Sequence, residues 1–198
     1  YGPVVLSKDK IYHAKLKKSV IAIPGRMTSA NLLLKLALGK VKEKVMPFDR
    51  IVEAILSDKV EAGLVIHEAQ IAYSHRNSDL YKVLDLGKWW ASKSNGLPLP
   101  LGINVASSRS LKPGQISRFN ELFRASILYG LNNLDAAVDY SMKYGRGQPR
   151  NLITKFIKMY VNHLTVEMGE IGKKSIEQIF LMANSRRILQ APKVSFSP

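Results

Sequence analysis

His67 is the first residue to weigh for chemistry. It closes the run Glu61-Ala62-Gly63-Leu64-Val65-Ile66, which is apolar and too short for a helix. Such a run reads as a buried parallel strand. An imidazole at the carboxyl end of that strand is placed for proton transfer near neutral pH. It reads also as a core or surface histidine that hydrogen-bonds a backbone group. A zinc-protease reading fails, because His67-Glu68-Ala69-Gln70-Ile71 lacks the second histidine four residues on.

A second candidate is Pro24-Gly25-Arg26-Met27-Thr28-Ser29. Gly25 lets backbone approach a ligand. The hydroxyls of Thr28 and Ser29 stand where a helix starts, beside free backbone N–H groups. Such an end suits an anionic or polyhydroxylated ligand; it is also what plain N-capping requires. The Gly-Lys-Ser/Thr ending of a P-loop and the dinucleotide Gly-x-Gly-x-x-Gly are both missing. Trp89-Trp90 could line an aromatic pocket or pack a helix on a sheet. No Gly-x-Ser-x-Gly elbow occurs.

The elements that must carry these residues follow from patterning. Residues 4–7 read as a strand and residues 8–18 as a basic loop with a helical turn. Residues 19–23 read as a strand stopped by Pro24-Gly25. Thr28 or Ser29 caps a helix through Leu36 and Ala37. A strand over 40–45 and a helix announced by Pro47 and Asp49 precede the run ending at His67. The stretch 19–67 thus alternates strand and helix, the pattern of a parallel sheet covered by helices. Ligands of open α/β sheets sit outside strand carboxyl ends, here after Ile23 and at His67.

Residues 83–86 read as a further strand. Gly96-Leu97-Pro98-Leu99-Pro100-Leu101-Gly102 then forms a stiff, extended connector. A strand resumes over 103–106. Beyond Ser110 the spacing is helical throughout, in four segments marked by Ile116/Phe119/Phe123/Ile127, Leu134/Val138/Met142, Ile153/Phe156/Ile157/Tyr160 and Ile176/Ile179/Phe180/Ala183. Gly145 stands in the position of a C-cap for the second. Residues 18–102 are read as a complete α/β lobe. Residues 1–17 and 103–198 supply crossing strands and the helical remainder of another.

Composition sets the outer limits. The 198 residues are 46% hydrophobic and 23% charged, an ordinary globular balance. There is no cysteine, so disulfides, thiolate metal sites and a cysteine nucleophile are excluded. No apolar run is long enough to span a membrane. Thirty Lys+Arg against 15 Asp+Glu give a net charge of +15. That invites anionic partners. The basic residues are spread in small groups with no block forming a tail, so a solvated surface is favoured over a nucleic-acid footprint.

Read together, several of these segments resemble one family. They are Ala22-Ile23-Pro24-Gly25-Arg26-Met27-Thr28-Ser29-Ala30, Val60 to Glu68, Asp85-Leu86-Gly87-Lys88-Trp89-Trp90 with the 96–102 connector, and Tyr160-Val161-Asn162. In order and spacing the chain is similar to the 1,4-dihydroxy-6-naphthoate synthases of menaquinone biosynthesis by the futalosine pathway. The resemblance implies an α/β fold of the type II periplasmic-binding-protein kind, two lobes with mostly parallel sheets. It implies a cytoplasmic lyase that cleaves cyclic dehypoxanthinylfutalosine to 1,4-dihydroxy-6-naphthoate, with His67 as the base.

Substrate contacts then fall on Gly25, Thr28, Ser29, Leu101 and Gly102. No metal or organic cofactor is implied. The partner is a small anionic molecule, an aromatic bicycle with a sugar-derived ring; no membrane or nucleic acid enters. The family's amino-terminal segment has no counterpart here. On that reading the first lobe is incomplete, and a missing segment or a dimer completes it. Tyr144-Gly145-Arg146-Gly147-Gln148 stands where the family has His-Ala-Gln-Glu. The rival readings are a non-catalytic solute-binding protein for a small carboxylate, the related chorismate dehydratase, and a nucleic-acid-binding protein.

Overall fold

Three four-residue apolar runs form the middle of a five-stranded sheet. They are β1 (Val4–Ser7), β2 (Val20–Ile23) and β4 (Ala62–Val65). The edges are β3 (Lys42–Val45) and β5 (Tyr81–Asp85), in the order β3-β2-β4-β1-β5. These come from a computed structural model that describes residues 2–66, 80–107 and 109–196. The chain divides into two compact units. The first is Tyr1–Leu101 with Lys174–Pro192, and the second is Gly102–Lys173 with Lys193–Pro198.

The first unit holds the sheet. β2 pairs in parallel with both β3 and β4, as the strand–helix alternation over 19–67 predicts. β1 lies between β4 and β5 and is antiparallel to both, so the sheet is mixed. The sequence reading sets residues 1–17 apart from the 18–102 lobe. Hydrogen bonding on both sides of β1 is why residues 4–7 belong with that sheet instead.

Both faces of the sheet are covered, and the strand period of two sorts the side chains between them. Val5, Ile21, Ile23 and Leu64 join one cluster with Leu33 and Leu36 of α2 (Ser29–Leu38). Val4, Leu6, Ala22 and Val65 join the other with Ile51, Ala54 and Ile55 of α3 (Ile51–Leu56). Sandwiching removes the polar face a half-exposed strand would need, hence the unbroken apolar runs. Each fully buried Leu or Ile contributes roughly 1.5–3 kcal/mol by leaving water. A short helix, α1 (His13–Leu16), buries Leu16 alone. The edge strand β3 presents Lys42 and Lys44 outward, charges that discourage further strand pairing.

β5 ends at Asp85, and Leu86 opens α4 (Leu86–Lys93). Trp90 is 1% exposed within the first cluster, the packing role sequence analysis allows for one of the tryptophans. Its indole N–H donates to the carbonyls of Leu97 (2.9 Å) and Pro98 (3.1 Å). The Ser175 hydroxyl also donates to Pro98 O. A connector rich in proline thus gets its hydrogen bonds from side chains. Leu97, Leu99 and Leu101 pack against the core.

The second unit is helical. It contains α5 (Pro113–Asn132), α6 (Leu134–Met142), α7 (Arg150–Tyr160), α8 (His163–Val166) and the start of α9 (Gly169–Ser185). Arg150 at the head of α7 bridges to Asp135 (3.2 Å) and Asp139 on α6. Helix α5 buries no residue, and Phe119 and Phe123 stack on it while largely exposed. Two local expectations fail. Residues 103–106 form no strand, since among the described residues no other strand pairs with them. Gly145 is not the left-handed cap of α6; Lys143 ends that helix, and Arg146 and Gly147 take the positive φ values. Gly145 is small for another reason: a Cβ there would meet Ile153 Cδ1 at 3.1 Å.

Gly63 on β4 is fixed by packing. A Cβ at this position would overlap Ile51 Cγ2 and lie 2.9 Å from Ile55 Cδ1. Gly63→Ala therefore pushes α3 off the sheet and destabilises the fold by about 1–3 kcal/mol, the range for core overpacking. Denaturant melts of the two proteins measure this; equal midpoints would contradict it.

Candidate functional site

Parallel pairing of β2 with β4, Ala22 opposite Gly63, brings the carboxyl ends of both strands to the same edge of the sheet. The 24–28 loop leaves β2 there, and β4 leads into Ile66. His67 follows Ile66 in sequence but lies outside the described residues, as do residues 68–79.

The loop after β2 is held by its own polar groups. Thr28 is the N-cap of α2, and its Oγ1 accepts from the Asn31 N–H at 3.1 Å. The same hydroxyl donates to Gly25 O at 2.9 Å. The hydroxyl of Ser29 donates across 72 residues to Leu101 O at 2.6 Å. Both hydroxyls singled out from sequence are thus engaged within the protein. They shape the loop and fasten the end of the connector to it.

With both hydroxyl hydrogens engaged, the donors of this loop are backbone N–H groups. Asn31 N–H is taken by the cap, and Leu32 N–H bonds to Thr28 O at 3.1 Å. Among the described residues nothing accepts from the N–H groups of Ser29 and Ala30. These are the donors that a helix start leaves unsatisfied, at the positive end of the helix dipole. An oxyanion fits them.

Charges around the loop favour an anion as well. Glu43 on β3 is the nearby carboxylate, and it is held by Lys35 of α2 at 3.1 Å and by Arg26 at 3.8 Å. Arg26 remains mostly exposed beside Thr28. Gly25 has a negative φ; a Cβ there would lie 3.4 Å from Thr28 Cγ2, so the glycine gives closeness and no unusual turn.

Leu101 supplies a carbonyl and a partly buried side chain to this neighbourhood. Gly102 is the first residue of the second unit, exposed and with open space where a Cβ would stand. Thr28, Ser29, Gly25 and Leu101 therefore come together. Sequence reasoning missed Asn31, which is fully buried with its Nδ2 donating to Arg26 O at 3.2 Å. A polar residue inside the apolar row of α2 was the available signal. Among the described residues no group of three His, Asp or Glu side chains could hold a metal ion. Nor is any helix there long and apolar enough to cross a membrane.

Asp85 of the Asp85–Trp90 segment caps α4, accepting from Lys88 N–H at 3.0 Å and pairing with Lys82 at 3.0 Å. Partial burial alone would raise its carboxyl. The Lys88 amide and the Lys82 ammonium outweigh that and hold it below its ordinary value.

Comparison with known proteins places this arrangement. The fold is that of periplasmic solute-binding proteins. The alkanesulfonate-binding protein SsuA of Xanthomonas axonopodis pv. citri, bound to MOPS, superposes with a TM-score of 0.56 at 12% identity, over 97% of this chain and 66% of its own. The aliphatic sulphonate binding protein SsuA of Escherichia coli gives 0.56 at 14% identity, over 100% and 68%. A crystal structure of an Archaeoglobus fulgidus protein is far nearer, with a TM-score of 0.88 at 42% identity over 96% of this chain and 69% of that one.

The chain belongs to the Menaquinone biosynthesis family, whose match runs over residues 1–185. Curated relatives named 1,4-dihydroxy-6-naphthoate synthase are 35% identical in Thermus thermophilus and 34% identical in Streptomyces coelicolor. The matches cover 93% and 96% of this chain. The chain spans 66% and 67% of the length of those two relatives.

One prediction concerns Asp85. Its folded carboxyl titrates below the unfolded value of about 3.9, so its pairing stabilises the fold above that pH. The contribution is lost as pH falls through the folded value. Asp85→Asn keeps a capping side chain but no charge. Acid unfolding curves should show the variant losing less stability than wild type between about pH 5 and pH 2. Equal acid sensitivity would contradict the assignment.

Proposed function

We propose that the protein containing this chain is a lyase of menaquinone biosynthesis. It cleaves cyclic dehypoxanthinylfutalosine to 1,4-dihydroxy-6-naphthoate and a small sugar-derived fragment, with His67 as general base. The observation that carries this reading is the family match over residues 1–185, supported by relatives that bear the synthase name. The local geometry agrees with an anionic substrate. Among the described residues, the N–H groups of Ser29 and Ala30 have no acceptor at the carboxyl edge of β2. Glu43 is paired with Arg26 and Lys35.

The chemistry then divides among named residues. Ser29 and Ala30 N–H groups hold the acid group of the substrate, or the oxyanion that develops as the bond breaks. Thr28 keeps those donors aimed outward by capping the helix. The Ser29 hydroxyl holds Leu101, and Leu101 presents an apolar wall to the aromatic bicycle. An imidazole following Ile66 removes the proton from a hydroxyl of the sugar-derived ring. The electron pair of that O–H becomes a carbonyl π bond as the neighbouring C–C bond breaks; the pair of the broken bond leaves with the bicyclic fragment as an enolate, which takes up a proton in its place. Base catalysis of this kind contributes ~10²–10⁴-fold in rate. A synthase acting on a water-soluble nucleoside-derived acid works in the cytoplasm.

A solute-binding protein is the alternative favoured by the fold of the SsuA neighbours. Fold does not decide between them; turnover does. The full-length protein, given cyclic dehypoxanthinylfutalosine, should release 1,4-dihydroxy-6-naphthoate. The His67→Ala variant should lose ~10²–10⁴-fold in kcat while still binding substrate. Chromatography of the product measures both. Binding without turnover by the wild-type protein would favour the solute-binding reading.

A further inference from the structure

Asn31 is the polar exception in α2. It is 0% exposed, in a helix whose other buried side chains are Ala30, Leu33, Leu34, Leu36 and Leu38. Its Oδ1 is buried and has no hydrogen-bond partner among the described residues. An unpaired buried acceptor costs fold stability, and an apolar side chain of the same shape would remove that cost. The side chain makes one bond, from Nδ2 to the backbone carbonyl of Arg26 in the loop, and this leaves Oδ1 unpaired. Fold stability therefore does not account for an amide at this position.

Loop geometry does. The Asn31 backbone N–H donates to Thr28 Oγ1, the Thr28 hydroxyl donates to Gly25 O, and Asn31 Nδ2 donates to Arg26 O. These bonds close a small net over residues 25–31. The last is the one that the Asn31 side chain makes, and it ties α2 to the middle of the loop. The net fixes the backbone from which the free N–H groups of Ser29 and Ala30 project.

We propose that Asn31 is a positioning residue. Its buried amide clamps the loop after β2 so that the first-turn N–H groups of α2 are aimed at ligand, at the expense of fold stability. Its effect on a substrate rests on the lyase reading above; its effect on the loop does not. Residues held at the expense of stability recur at binding sites, where mutation to apolar side chains stabilises the fold and weakens function.

Asn31→Leu in the full-length protein tests this by three measurements. The melting temperature should stay the same or rise. Amide hydrogen exchange at residues 31 and 32, whose N–H groups bond to Thr28, should quicken tenfold or more, with residues 33–36 unchanged. KM for cyclic dehypoxanthinylfutalosine should rise about tenfold with kcat within twofold. A variant that melts well below wild type and exchanges faster along all of α2 would make Asn31 a structural residue and overturn the proposal. So would unchanged exchange at residues 31 and 32. Absence of turnover in the wild-type protein would count against the lyase reading alone, since melting and exchange need no substrate.

Discussion

Parallel hydrogen bonding between β2 and β4 is the constraint on which the rest depends. A parallel pair aligns chain direction, so whatever follows each strand emerges at the same edge. Here the loop that starts α2 follows one, and Ile66 follows the other. Were the pair antiparallel, those two segments would lie at opposite ends of the sheet. The pairing is itself secured by burial. Ile21, Ile23 and Leu64 face α2, Ala22 and Val65 face α3, and Gly63 is bare so that α3 can lie close. A shift of one residue would exchange the two faces and put Gly63 opposite the wrong helix.

On this frame the polar groups are divided between structure and ligand. Hydroxyls are spent on structure: Thr28 on the cap and on Gly25, Ser29 on Leu101, Ser175 on Pro98. Among the described residues, the Ser29 and Ala30 N–H groups at the start of α2 have no acceptor, and the proposed function gives them to an anion. The division is economical in entropy, because backbone donors in a capped helix are already fixed and need no side-chain ordering when a ligand arrives. It also gives the connector a role beyond linkage. Pro98 and Pro100 stiffen it, Trp90 and Ser175 hold its middle, and Ser29 holds its end.

Much of the sheet could be read from the sequence. β1, β2, β3 and β4 coincide with expected strands to within two residues; for β1, β2 and β4 apolar runs and the Pro-Gly stop are the strong local signals. Thr28 as cap was legible for the same reason. The antiparallel placement of β1 was not, since pairing partners in β4 lie 57 or more residues away and leave no local trace. The strand expected over 103–106 has suitable residues but no neighbour to bond, and β-propensity alone does not make a strand. In the site, residue types pointed to a loop whose hydroxyls make hydrogen bonds within the protein. Thr28 and Ser29 looked like ligand donors, and only their partners, Gly25 and Leu101, revealed that the hydroxyls are committed. Asn31 was overlooked because a single polar residue in a helix row usually faces solvent.

The central claim is that the start of α2 grips the acid group of the ligand through the N–H groups of Ser29 and Ala30. The most direct measurement is a crystal structure of the full-length protein with 1,4-dihydroxy-6-naphthoate. The account predicts a carboxylate oxygen about 2.7–3.2 Å from each of those two nitrogens. A carboxylate bound elsewhere, with water on both N–H groups, would contradict it.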